Sequence, residues 1–348
     1  MRAAVLKAYR APLDIQEVPD PDCPSDGVVL EVAACGVCRS DWHGWTGSHP
    51  LVKPGHIPGH EYCGTVVETG REARWAVGDK VIAPFILACG NCPDCHAGEQ
   101  TVCANQRLPG FTEAGAFAEY VAVPHAHNLT RLPETVSPAL AAGLGCRVTT
   151  AWHALTGRAA LKAGEWLAVH GTGGVGLAAV ILGRALGARF IAVDIVEEKL
   201  ALARALGAEA AIDARTEDAP SAIRDLTGGG AHVSVEALGI TETTNASLRC
   251  LRPLGRHVQL GYPAGENAVM SLDIKAIYAG SLAVYGSRGM PSWRYPSLLG
   301  LIERGDVDLT PMIGAEIGLS EASDALAAMD HPTPPGVVVV TDFKEARP

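Results

Sequence analysis

The stretch from Trp166 to Leu186 constrains the fold of this chain more than any other. Trp166-Leu167-Ala168-Val169-His170 is an unbroken apolar run, Gly171-Thr172-Gly173-Gly174-Val175-Gly176 is a glycine turn, and Val175 to Leu186 has helical character. A bare G-x-G-x-x-G is weak in a chain with 39 glycines. Flanked by a strand and a helix, it becomes a dinucleotide-binding fingerprint, in which the glycines admit a pyrophosphate at the helix N-terminus. A second strand is expected at Arg189–Val193, a helix at Glu197–Leu206, and further strands at His232–Val235 and Arg256–Leu260. Strands alternating with helices define an α/β, doubly wound parallel sheet. Asp194 ends the second strand, 21 residues past Gly173. A carboxylate there binds ribose hydroxyls and repels a 2′-phosphate, and Ile195 supplies no compensating cation, which supports NAD over NADP.

The first 150 residues have a different texture. Short alternating runs such as Val28–Val32 and Gly64–Glu68, broken by turn residues, predict a β-rich domain. Two domains suit 348 residues. The expected division is 1–150, completed by 286–348, and 151–285 for the nucleotide domain. Val337–Val340 reads as a closing strand returning to the first domain. A net charge of −10 disfavours nucleic acid and anionic membrane as partners. The longest uncharged run, between Glu165 and Arg184, is interrupted by His170 and glycines, so no membrane span is expected. Met1 to Lys7 is too soon charged for an export signal, so a cytoplasmic location is expected. In that reducing compartment, clustered cysteines favour metal over disulfides.

There are 10 cysteines. Cys89, Cys92, Cys95 and Cys103 form C-x2-C-x2-C-x7-C, the pattern of a closed structural zinc site. The ferredoxin-like iron–sulfur alternative requires its fourth cysteine three residues on, before a proline, whereas Cys103 precedes Ala104. Cys38 and Cys146 lie far apart with His60 between them. Two thiolates and an imidazole leave one position open on zinc, but spacing alone does not assemble the three.

Gly59-His60-Glu61-Tyr62-Cys63-Gly64, with Gly70 beyond it, resembles the signature of the zinc-containing medium-chain alcohol dehydrogenases. The Cys38 run, the four-cysteine lobe and the glycine fingerprint follow in that family's order, so the resemblance covers nearly the whole chain. It implies a GroES-like catalytic domain beside a Rossmann nucleotide domain, and two zinc ions. Cys38, His60 and Cys146 match the ligands of the catalytic zinc, with Glu61 behind it. Ser40 and His43 match a proton relay, for which an imidazole titrates in the right range. Asp41 is placed to orient a ligand. Arg39 matches a pyrophosphate contact, Lys199 a ribose contact, and Thr150, Leu238 and Leu260 contacts near the nicotinamide, in addition to Gly171, Gly173, Gly174, Val175, Gly176 and Asp194. Phe85 matches an aromatic wall beside zinc, and Trp45 and His49 follow the relay as pocket or packing residues.

Two departures stand out. Arg147 follows the second zinc cysteine where small residues are common, and His331-Pro332-Thr333-Pro334-Pro335-Gly336 lacks a basic residue that many relatives use against the pyrophosphate. The resemblance implies an NAD-dependent alcohol dehydrogenase acting on primary or secondary alcohols and their carbonyl partners, as a homotetramer or alternatively a homodimer. A polyol or amino-alcohol dehydrogenase of the same architecture is the alternative, although such relatives often carry Glu where Cys146 stands. Zinc-free quinone reductases lack the cysteines, and a non-catalytic zinc protein has no use for Ser40 and His43.

Overall fold

The computed structural model describes residues 1–344. The chain forms two compact units: Met1–Thr149 with Gly289–Gly305 and the chain from Ile313, and Thr150–Arg288 with Asp306–Met312. Relative to the expected division, the segment Asp306–Met312 lies with the second unit. Its Val307, Leu309 and Met312 are buried, which anchors it there.

The first unit opens with an antiparallel pair, β1 (Arg2–Val5) and β2 (Asp14–Glu17). Its long strands are β3 (Val28–Val37) and β4 (Glu61–Thr69), followed by β5 (Lys80–Ile82), β6 (Tyr120–Val123) and β7 (Thr130–Arg131). The runs expected at 28–32 and 64–68 lie inside β3 and β4, which extend past them. Val28, Leu30 and Val32 alternate into a core shared with Leu6, Tyr62 and Phe117, as a sheet with one covered face requires. β3 and β4 run antiparallel with Gly36 opposite Glu61 and Cys35 opposite Tyr62. The end of one strand therefore meets the start of the other.

The second unit contains β8 (Trp166–His170), β9 (Arg189–Asp194), β10 (Ala210–Asp213), β11 (Ala231–Glu236), β12 (Leu251–Gln259) and β13 (Ala283–Gly286). All are parallel, in the order β10-β9-β8-β11-β12-β13. Every residue of β8 is buried, which is why it reads as a continuous apolar run. Strand order reverses between β8 and β11, and the glycine turn sits at the carboxyl end of β8, the position where this architecture binds ligands. The helix expected from Val175 spans Gly174–Ala185.

The chain then returns to the first unit through β14 (Ile313–Gly318) and β15 (Val337–Asp342). β15 pairs antiparallel with β3, Val338 opposite Val37 and Val340 opposite Cys35, completing a seven-stranded sheet. Among the described residues, no helix is long and apolar enough to cross a membrane.

Candidate functional site

Strand register builds the first half of the site. Cys38 leaves the end of β3 and caps the helix Arg39–Thr46, while His60 immediately precedes β4, whose first residue pairs with Gly36. Asp41, in the first turn of that helix, is buried and accepts three hydrogen bonds. They come from Cys38 N (2.9 Å) and Gly59 N (3.1 Å), and from His60 Nδ1 (2.9 Å). With Nδ1 so engaged, Nε2 is the free nitrogen of the ring. It is buried and has no hydrogen-bond partner. Cys146 arrives from elsewhere, in a π-helical turn, Leu144–Val148, that follows the helix Pro138–Gly143. Such one-turn bulges recur at functional sites.

The donor atoms of Cys38, His60, Glu61 and Cys146 all lie within 4.8 Å of one another. A buried, unpartnered imidazole nitrogen beside two free thiols is the donor chemistry of a zinc site, and the residues fit that ion. Contact with Cys146 draws the Cys38 thiol well below the usual thiol range, against burial and with help from the Arg147 charge. The Glu61 carboxyl is pushed up to about 8 by burial, with Arg147 as the leading counterweight. Arg147 is itself buried and donates from Nη1 to Glu61 Oε2 at 2.5 Å. Removing Glu61 would strand the buried Arg147 charge in the interior.

Around this cluster, Ser40 Oγ lies 3.9 Å from Cys38 Sγ, and His43 follows one turn later with Nδ1 3.0 Å from Ser48 Oγ. Burial, and then the Arg39 charge, push His43 down to about 4, below the near-neutral range expected from sequence. Its imidazole is therefore neutral at physiological pH. The Phe85 ring stands 5.8 Å from that of His60. Phe111, which no sequence spacing singled out, lies closer at 4.9 Å and also touches His49 at 4.7 Å. Trp45 does not line the cluster. It is packed in the core, donating from its indole to the Ala11 carbonyl, because its position on the helix Arg39–Thr46 faces inward. The Arg39 guanidinium lies over the Trp42 ring and donates to the Met329 carbonyl at 2.5 Å.

The four-cysteine lobe is equally well formed. Sulfur separations are 3.5 Å for Cys92–Cys95, 3.8 Å for Cys92–Cys103 and 3.5 Å for Cys89–Cys103. Four sulfurs each about 2.3 Å from a zinc ion sit about 3.8 Å apart, so the residues fit a closed tetrahedral site. The Asn91 backbone N–H leads in holding the Cys89 thiol down at about 6, so the loop directs amide protons at its sulfurs.

In the second unit, Gly171 adopts a positive φ of 85° and Leu238 packs directly against it. A Cβ on Gly176 would lie 1.8 Å from the Gly171 carbonyl oxygen, so the turn closes only with glycine there. A Cβ on Gly173 would meet nothing within 4 Å, which leaves an open cradle suited to a phosphate approaching backbone. Asp194 accepts from Thr172 N (2.7 Å), Thr172 Oγ1 (2.9 Å), Ile195 N (2.8 Å) and Val196 N (3.1 Å), pinning its carboxylate beside the turn. Gly174 and Val175 begin the following helix, and Lys199 lies half-buried in the next, Glu197–Ala205. Leu238 N donates to Glu236 Oε1 and Leu260 N to the Glu236 carbonyl, so Glu236 organises that loop. Thr150 is buried at the start of the unit.

A parallel doubly wound unit with a glycine turn at its switch point, together with a β-rich unit carrying two cysteine-based clusters whose donors fit a metal ion, defines a zinc-type oxidoreductase architecture. Residues 24–134 match the alcohol dehydrogenase GroES-like domain, and residues 174–304 match the zinc-binding dehydrogenase family. An alcohol dehydrogenase of Geobacillus stearothermophilus is 35% identical over 277 residues, covering 78% of this chain and 81% of that protein. The structure of an NAD-dependent alcohol dehydrogenase superposes with a TM-score of 0.89 at 27% identity, covering 99% of this chain and all of that one (100%). A zinc-binding dehydrogenase from Sinorhizobium meliloti 1021, bound to NADP, superposes at 0.86 with 31% identity and 98% coverage of both chains. The chain belongs to the zinc-containing medium-chain dehydrogenase family and is an oxidoreductase of the alcohol dehydrogenase type.

Proposed function

We propose that this chain is an NAD-dependent alcohol dehydrogenase that interconverts a primary or secondary alcohol with its aldehyde or ketone. The observation that carries the reading is His60 Nε2, buried without a partner between two cysteines and fixed from behind by Asp41. Cys38, His60 and Cys146 would hold the catalytic zinc, and Cys89, Cys92, Cys95 and Cys103 a structural one. When bound, the open-site zinc supplies Lewis-acid polarisation of an alcohol oxygen, and the nicotinamide supplies the hydride acceptor. Ser40 Oγ takes up the released proton and His43, neutral through burial, passes it outward. Phe85, Phe111 and His49 wall the space beside His60. Gly173 admits the pyrophosphate, with Arg39 as a cationic contact, and Lys199, Thr150, Leu238 and Leu260 serve the ribose and nicotinamide ends. The buried Asp194 carboxylate favours NAD, since a 2′-phosphate would meet like charge. The family resemblance supports a homotetramer, or alternatively a homodimer.

Metal analysis with turnover tests the reading. We expect two zincs per chain, and Cys38→Ala to abolish turnover while one zinc remains. Full activity in Cys38→Ala, or a higher kcat/KM with NADP than with NAD, overturns the corresponding part.

A further inference from the structure

Arg147 ties its own turn to two other segments. Its backbone N–H donates to Glu61 Oε1 (3.3 Å), Nη1 donates to Glu61 Oε2 (2.5 Å), and Nη2 donates to the Val37 carbonyl. Each of these residues adjoins a member of the open cluster. Val37 precedes Cys38, Glu61 follows His60, and Arg147 follows Cys146. Gly36 makes the arrangement possible, because a Cβ there would lie 2.5 Å from Glu61 Oε2 and 3.5 Å from Arg147 Nη1. The planar guanidinium fork presents its donors to a carboxylate and a carbonyl in one rigid geometry, whereas an ammonium is a point charge on a flexible stem.

We infer that Arg147 is a positioning residue of the open metal site, a three-way staple that locks the segments carrying Cys38, His60 and Cys146 into one geometry. The inference rests on the reading of those three residues as metal-holding. β3 and β4 are joined to each other by their ladder, but the π-helical turn bearing Cys146 belongs to neither strand. Arg147 supplies the polar tie between that turn and both strands, next to the ligands themselves. Asp41 performs the matching task on the other side, joining Cys38 to His60.

The test is zinc release from the holoenzyme to the chelator 4-(2-pyridylazo)resorcinol. The four-cysteine zinc, followed alone in Cys38→Ala, serves as an internal reference. Arg147→Gln is expected to release the open-site zinc about 10- to 100-fold faster than the parent, with the four-cysteine zinc unchanged. Arg147→Lys, which keeps the charge opposite Glu61 but not the bond to Val37, is expected to fall between. The double variant Glu61→Gln/Arg147→Gln, which strands no charge, still releases faster than the parent if the staple is the cause. Parent-like release from a folded Arg147→Gln, or equal acceleration at both sites, overturns the inference and leaves the proposed function standing. Should Arg147→Gln not fold, Arg147→Lys carries the same comparison. A parent protein holding zinc only in the four-cysteine lobe overturns both.

Discussion

Asp41 accepts from Cys38 N, Gly59 N and His60 Nδ1, so one carboxylate fixes the ring orientation of His60 and the turn that presents Cys38. Asp41→Ala is expected to weaken zinc at the open site by about 10- to 100-fold while leaving the four-cysteine site intact, measured by chelator competition. Asp41→Asn keeps one acceptor oxygen and is expected to lose less. The residues brought together in this cluster were legible in sequence because thiols and an imidazole are chemically distinctive. Their neighbours were less so. Phe111 reaches His60 through a loop whose path no periodicity encodes. The near-neutral titration expected of His43 failed because burial, which drives it to about 4, is a tertiary property.

Among elements, the glycine turn after β8 separates two roles that a motif merges. Gly176→Ala forces a Cβ against the Gly171 carbonyl oxygen, and we expect a stability loss of about 3 kcal/mol. Gly173→Ala meets open space and is expected to change stability by less than about 0.5 kcal/mol. It is nonetheless expected to weaken dinucleotide binding about tenfold or more, because its methyl occupies the phosphate cradle. Thermal unfolding and nucleotide titration on the two variants check the contrast. β8 and β9 were legible because buried parallel strands are apolar throughout. β10 and β13 were not, since each has four residues and neither is fully buried. β12 begins at Leu251, five residues ahead of the expected Arg256, because its charged and glycine-bearing first half lacks the strand pattern. The π-helical form of the Cys146 turn leaves no sequence signal of its own.

Across the whole molecule, buried histidines set a pH response. In the second unit, His170 touches Cys250 Sγ (3.5 Å), and His257 Nδ1 lies 3.0 Å from Ser247 Oγ. Burial lowers His170 to about 3 and His257 to about 4. The unfolded chain binds these protons below about pH 6.5, whereas the folded chain holds both rings neutral. Stability is therefore fully present above about 6.5 and falls as pH drops towards 4, by about 1.4 kcal/mol per histidine per pH unit. Hydrogen exchange of β8 and β12 across that window is expected to show the slope, and His257→Gln to reduce it. The division into a β-rich and a doubly wound unit was legible from the change in texture near residue 164. The attachment of Asp306–Met312 to the second unit was not, because it depends on where Leu309 and Met312 find burial. The pairing of β15 with β3 has a consequence in time. Val338 and Val340 close on Val37 and Cys35, the residues that lead into Cys38, from about 300 residues further along the chain. At a synthesis rate of roughly 5–20 residues per second, that edge of β3 stays uncovered for about 15–60 s. The strand that aims Cys38 thus waits for about 300 further residues of synthesis before it gains this neighbour, and the open site takes shape only after the residues of the second unit have been made.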